Sequence, residues 1–320
     1  MLLSTPLLAL IGPTAVGKTA LSLLLAETLG AEVVSVDSRQ VYRSLDVGAD
    51  KISSEIRRRI PHHLIDVADP DQPFSAADFV SQATDAVDRI RRRGRVPLLV
   101  GGTPFYYAAL AEGSLTPDLP RNWELRARLE AEAAREGKEV LYWRLAERDA
   151  EYAGRIHPHD LRRVVRGLEI MELSGKTPSQ IYREGGRGEK PFTLSYVGLT
   201  RPREELYQTI SRRATAQFAS GFPEEVRMLL DRGYDPRCPA LQGFGYRELV
   251  RYHQGLCSLE DALEGDIAAT KAFSRRQMTW FRKFTPVLWY DLSAESEERI
   301  LRQTVDFSRQ LLEDGATCTS

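Results

Sequence analysis

The run Gly12-Pro13-Thr14-Ala15-Val16-Gly17-Lys18-Thr19 sets two glycines, a lysine and a threonine at the spacing of a phosphate-binding loop. Such a run binds anions. Its glycines let the backbone curl until successive N–H groups and the start of the following helix face one point, Lys18 adds a point charge, and Thr19 can hold magnesium. A polyphosphate is the expected ligand.

The loop alone does not name a reaction, because folds that carry it include kinases, switches and other transferases. Two further runs narrow the choice. Val33-Val34-Ser35-Val36 leads into Asp37-Ser38-Arg39-Gln40-Val41-Tyr42, which puts the Asp37 carboxylate at the end of an apolar strand, the edge where open α/β sheets bind ligands. Asp37 or Ser38 could equally cap the following helix. Val96 to Val100 ends in Gly101-Gly102-Thr103-Pro104-Phe105-Tyr106, with no acid where many ATPases and GTPases hold magnesium indirectly. That weighs against ordinary nucleotide hydrolysis. Thr103-Pro104 also satisfies a helix cap and first-turn proline, while the two glycines admit a ligand close to the backbone.

The elements that must position these groups are legible as a pattern. Apolar, β-branched runs at 7–11, 33–36, 64–67, 96–100, 196–199 and 287–290 read as buried strands, and helical stretches at 18–29 and 76–93 lie between the early ones. Strand, helix, strand in this order implies right-handed crossovers and a parallel sheet. The expected fold is therefore α/β: a P-loop NTPase-like core with a central parallel sheet flanked by helices, plus a helical insertion domain. Residues 122–184 carry the insertion pattern, charged and rich in alanine and leucine, bracketed by 115–120 and 185–191. The expected division is 1–117 and 191–320 for the core and its helical C-terminal part, and 118–190 for an RNA-contacting insertion.

Composition restricts the class further. With 320 residues, 42% hydrophobic and 28% charged, the chain is an ordinary globular sequence, neither disordered nor membrane-resident. Cys238, Cys257 and Cys318 are too few and scattered for a disulfide framework or a paired-cysteine zinc site, as expected in the cytoplasm. The apolar opening reads as a strand, not a signal peptide. His62, His63, His157, His159 and His253 show no ligand spacing, and structural roles are the default reading of each. Net charge is −1, from 44 basic and 45 acidic side chains, so any nucleic-acid binding must rest on local clusters. Arg89 to Arg95 is one; Arg155, Arg162, Arg163 and Arg166 are another. A third, Lys271, Arg275, Arg276, Arg282 and Lys283, lies in a stretch from Ile267 to Tyr290 with no acidic residue. On a helix, Phe273, Trp280, Phe281 and Phe284 would fall along one side while Arg275, Arg276, Arg282 and Lys283 fall along another.

Taken together, these runs resemble the tRNA dimethylallyltransferase (tRNA isopentenyltransferase) family, over nearly the whole chain. The resemblance is carried by the phosphate loop, by Asp37-Ser38 with Gln40 and Tyr42, by Pro61-His62-His63-Leu64-Ile65-Asp66, and by Val100-Gly101-Gly102-Thr103 with Tyr106. It continues in Asp160 with Arg163, Arg166 and Leu168-Glu169, in Gly245-Tyr246 with Glu248-Leu249, and in Arg276-Gln277 with Thr279-Trp280-Phe281-Arg282. The tail has no zinc-finger spacing, as in the shorter, bacterial-type members.

What the resemblance implies is transfer of a dimethylallyl group from dimethylallyl diphosphate to the N6 amine of the adenine next to the anticodon of tRNA, with release of diphosphate. Asp37 would then be the base, Thr103 would hydrogen-bond near the leaving oxygen or the flipped adenine, and Arg213 would assist the diphosphate held by Gly12 to Thr19 and Mg2+. Gln217 departs from the methionine usual near Arg213. Asp37, Ser38, Arg39, Gln40 and Thr103 would contact the RNA, joined by His159, Asp160, Leu161, Arg162 and Arg163 of the insertion and by Arg275 and Arg276. His159 stands where asparagine is more common. A loop base must be splayed from its stack to reach a buried site, which suits an enzyme with basic groups on more than one segment. A cytoplasmic monomer without membrane contact is expected. The alternative is an ATP-dependent small-molecule or nucleoside kinase whose insertion serves as an arginine-bearing lid.

Overall fold

A computed structural model describes residues 6–113, 119, 122–184 and 192–317, with side chains to Glu313. The segments expected to bracket the insertion, and Cys318, fall largely or wholly outside these residues. The chain divides into two compact units, Met1–Ala111 with Pro191–Ser320, and Glu112–Lys190.

The first unit is built on a six-stranded, all-parallel sheet of order β3-β2-β4-β1-β5-β6. Its strands are β1 (Leu7–Ile11), β2 (Ala31–Val36), β3 (His62–His63), β4 (Val96–Gly101), β5 (Leu194–Thr200) and β6 (Val287–Asp291). Alternation explains why β1 reads as an unbroken apolar run. Leu7, Ala9 and Ile11 enter the core on one face, with Phe79, Val87, Ile90 and Tyr107, while Leu8 and Leu10 enter the core on the other, with Leu21, Leu25, Leu206 and Ile300. Helices Ala76–Arg92 and Pro104–Glu112 cover the first face; Lys18–Leu29, Arg203–Ala219 and Glu297–Thr317 cover the second.

One strand lies elsewhere than expected. The apolar run 64–67 is not extended: φ is 62° at Leu64 and 60° at Asp66, left-handed values that end a ladder. The pairing residues are His62 and His63, opposite Val33 and Val34. Leu64 and Ile65 are buried all the same, so their apolarity serves packing from a loop. The long helix Leu259–Phe281 also departs from its expected stripe. Phe281 is buried against Tyr107 and Phe284, Phe273 tilts onto Phe244, and Trp280 is 38% exposed beside Phe105. Phe284 lies beyond the helix end. The aromatics of the stripe therefore differ in burial, and the last of them is not on the helix.

The second unit is helical over its described residues, from Trp123–Glu136 to Pro178–Glu184. Its own core joins Leu125, Leu129, Leu141, Leu145, Val164, Leu168 and Met171. Buried Glu169 accepts from both Arg126 and Arg166 and from the Asn122 N–H. Burial alone would raise its pKa, but these partners hold the carboxyl down at about 2.

Candidate active site

Sheet order brings the three motif loops together. β2, β4 and β1 are adjacent, and at about 4.8 Å per strand spacing their carboxyl ends span only about 10 Å. Asp37, Gly101 to Thr103 and the phosphate loop leave from those ends. With Arg213 of the helix Arg203–Ala219 and Phe273 and Gln277 of the helix Leu259–Phe281, they line one cleft of about 600 Å³.

The phosphate loop has the shape its glycines predict. Gly12 sits at φ 149°, where an added Cβ would lie 2.7 Å from the Leu199 carbonyl oxygen, so no other residue fits there without displacing β5. Ala15 takes φ 63°, a left-handed turn within the curled loop. Lys18 Nζ donates to the carbonyls of Gly12 (2.9 Å) and Pro13 (2.8 Å), tying the two sides of the loop. Its enclosure pushes the ammonium pKa down to about 7; Asp37 and Asp50 oppose this and Arg213 adds to it. Thr19 stands exposed in the first turn of the helix Lys18–Leu29. Arg213 reaches the loop from the other side, donating to Thr14 Oγ1 at 2.8 Å and pairing with Asp50 at 3.2 Å.

Asp37 borders the cleft, and what it caps is a turn, since the next helix starts only at Ser54. Oδ1 accepts the N–H groups of Arg39 (2.7 Å) and Gln40 (3.3 Å), capping the turn after β2. Among the described residues Oδ2 accepts no hydrogen bond, and it belongs to a side chain lining the cleft. Thr103 does start its helix, its carbonyl accepting from Tyr106 N, and also joins the site. Its Oγ1 accepts the Ser38 N–H at 3.1 Å, and its own N–H donates to the Val36 carbonyl at 3.2 Å. The β4 turn is thus stitched to the β2 turn.

Other expected contact residues are distributed unevenly. Ser38 lines the cleft with no hydrogen bond from its hydroxyl among the described residues. Gln40 is internally satisfied, by the Ser35 hydroxyl and the carbonyls of Ala49 and Asp50. The Arg39 guanidinium is directed to the carbonyls of Pro239 and Ala240. In the second unit Asp160 caps the helix Leu161–Ser174 and pairs with Arg163, His159 bonds Glu139, and Leu161 packs on the core. Arg155 pairs with Glu151 and Arg166 with Glu169, whereas Arg162 is exposed without an ion-pair partner among the described residues. Arg275 donates to the Tyr207 hydroxyl, and Arg276 lies over the Phe273 ring. Both are exposed.

Two cleft residues acquire a role only in three dimensions. Asp50 is the partner of Arg213, and Gln277 bonds two of the site loops. A sequence signal for the second does exist: Asp266, Thr270, Ser274 and Gln277 recur at helical spacing, and this polar series is the buried face of its helix. Polar residues at core positions have hydrogen bonds to make.

Comparison with known proteins shows the family. The family model described as IPP transferase matches residues 40–284. The chain is 45% identical to a tRNA dimethylallyltransferase of Thermomicrobium roseum, over 95% of this chain and 91% of that one. It is 44% identical to that of Symbiobacterium thermophilum, over 95% of each. Among solved structures, the full-length tRNA isopentenylpyrophosphate transferase of Bacillus halodurans superposes with a TM-score of 0.72 at 37% identity, covering 98% of this chain and 99% of its own. A eukaryotic dimethylallyltransferase acting on tRNA gives 0.80 at 26% identity, covering 97% and 80%.

Proposed function

Since the chain belongs to the IPP transferase family, we infer that it transfers a dimethylallyl group from dimethylallyl diphosphate to the N6 amine of the adenine next to the anticodon of tRNA, releasing diphosphate. One observation carries the reading: a phosphate loop and a carboxylate with a free oxygen line the same cleft, on strand ends only two spacings apart.

The chemistry follows from that pairing. The C1–O bond of the allylic diphosphate breaks with its electron pair going to the diphosphate oxygen, and the loop N–H groups, Lys18 and Arg213 stabilise the charge that develops there. N6 of the adenine bonds to C1 and becomes cationic, and its proton passes to Asp37 Oδ2. The Thr103 hydroxyl, which accepts from Ser38, keeps its own hydrogen for the reacting groups. The donor set fits magnesium carried by the substrate, because Thr19 offers a hydroxyl and no group of three His, Cys, Asp or Glu able to hold a metal occurs among the described residues. Bound there, magnesium would neutralise the diphosphate. Phe244 and Phe273, at 4.9 Å, give the cleft an apolar and aromatic wall suited to a base or prenyl chain.

Half-buried Ser38 at the cleft and exposed Arg162, Arg275 and Arg276 are the proposed RNA contacts; Arg39 and Gln40 act by holding the turn that carries Asp37. All groups used belong to one chain, and no described helix is long and apolar enough to cross a membrane; the reading is of a cytoplasmic monomer. The kinase alternative is not favoured, because β4 ends in glycines where an acid would be needed.

The test is incubation with magnesium, radiolabelled dimethylallyl diphosphate and an unmodified anticodon stem-loop bearing that adenine. Label on the RNA, absent when guanine replaces the adenine, supports the reading. Phosphoryl transfer from ATP to a nucleoside with no label on RNA would overturn it.

A further inference from the structure

Gln277 is 2% exposed and comes from a helix remote in sequence from every motif loop. Its two amide atoms are both engaged, and by different loops. Oε1 accepts the N–H of Thr14, in the phosphate loop, at 2.9 Å, and Nε2 donates to the carbonyl of Gly102, in the turn after β4. Gly102 has no side chain for a physical reason: a Cβ there would lie 2.5 Å from Gln277 Nε2. The adjacent Thr103 holds the Ser38 N–H, and Ser38 follows Asp37. One continuous series of bonds therefore runs from the loop that grips the leaving group, through Gln277, to the turn that aims the base.

We propose that Gln277 is a positioning residue that sets the separation of the phosphate loop from the Thr103–Asp37 turn; in its catalytic consequence this rests on the transfer reading above. Satisfying both partners takes a group that accepts at one atom and donates at another, as a primary amide does. Leucine of similar size would fill the space and leave the Thr14 N–H and Gly102 carbonyl unpaired in a buried position. Glutamate would keep the first bond and set a carboxylate against the Gly102 carbonyl. Once protonated it would mimic glutamine and restore both. This behaviour separates positioning from mere filling of the core.

The experiment compares the full-length wild type with Gln277→Leu and Gln277→Glu in two readouts, calorimetric binding of magnesium pyrophosphate and single-turnover prenyl transfer at saturating substrates. Each ratio to wild type is taken at one pH, so that the change in Lys18 charge between pH 6 and 8 is common to both proteins, and at a temperature below each variant's melting transition. Gln277→Leu is expected to bind pyrophosphate about ten-fold more weakly, the effect of removing one buried hydrogen bond, and to transfer about 100-fold more slowly, as misplaced reacting groups do. Gln277→Glu is expected to match it at pH 8 and to recover toward wild type by pH 6. Unchanged affinity and rate in folded variants, or a Gln277→Glu defect that is the same at both pH values, would overturn the proposal. Should Gln277→Leu fail to fold, the pH recovery of Gln277→Glu decides. If the wild type binds pyrophosphate but labels no RNA, the transfer reading fails, and positioning is judged on pyrophosphate binding alone.

Discussion

At the scale of single residues, Asp37 lines the cleft and holds its turn through Oδ1, while Oδ2 accepts no hydrogen bond among the described residues. Asparagine retains an acceptor for the turn and removes the base. Asp37→Asn is therefore expected to melt within a few degrees of wild type while kcat for RNA prenylation falls by about 10²- to 10⁴-fold; thermal melts and single-turnover assays check this. Lys18 gives a prediction of different kind. With its pKa pushed down to about 7 by enclosure, it is mostly neutral at pH 8 in the free protein. A bound diphosphate favours the ammonium and raises that pKa. Binding of magnesium pyrophosphate at pH 8 should thus take up about one proton, and at pH 6, where Lys18 is already charged, almost none. Calorimetry in buffers of different ionisation enthalpy measures the uptake, and Lys18→Met should abolish it.

At the scale of elements, some patterns can be read from the chain and some cannot. The helix 18–29 was expected with the bounds observed, because a glycine loop before it and Gly30 after it mark both ends. The helix Leu259–Phe281 was legible as a helix but not in its orientation. Its aromatics suggested the buried side, yet of these Phe281 is buried there while Ala262 and polar Asp266, Thr270, Ser274 and Gln277 make up the rest of it. Packing decides such a case, since a polar side chain is stable inside once its partners are present. Asp266 illustrates the strain of that arrangement: burial pushes its pKa up to about 6, the Thr270 hydroxyl opposing and Glu248 reinforcing the shift. In the helical unit, Glu169 lies between Arg126 and Arg166. Its folded pKa, about 2, is below the ordinary carboxyl value. The resulting stability is present above about pH 5 and lost as pH falls from about 4.5 toward 2. Glu169→Gln should accordingly lower the melting temperature at pH 7, with a deficit relative to wild type that shrinks below pH 4.5; melts across that range check the sign.

At the scale of the whole molecule, near-neutral net charge conceals an uneven distribution. Of the arginines read as a basic cluster in the insertion, Arg155, Arg163 and Arg166 pair with neighbouring acids, which leaves Arg162 free to meet a phosphate. In the first unit, Arg275 and Arg276 are exposed on a stretch without acids. Removing Arg162 or Arg276 should weaken stem-loop binding and lower the slope of log affinity against log salt by about 0.7 to 0.9 for each phosphate the side chain neutralises. Fluorescence anisotropy across a salt series tests this; an unchanged slope would exclude that arginine from the RNA interface. The sequence by itself determined the chemistry on offer and the fold class: a phosphate loop whose glycines are required locally, a carboxylate at a strand end, and alternating strands and helices that admit a parallel sheet. These are short-range facts, written in adjacent residues. Only the tertiary structure decided which groups meet. The strand order set β2, β4 and β1 side by side, packing brought Arg213 and Gln277 from distant helices onto Thr14, and three of the four arginines of the insertion cluster met neighbouring acids. Those outcomes depend on interactions between residues far apart in the chain, where the preference of each residue alone leaves several partners open.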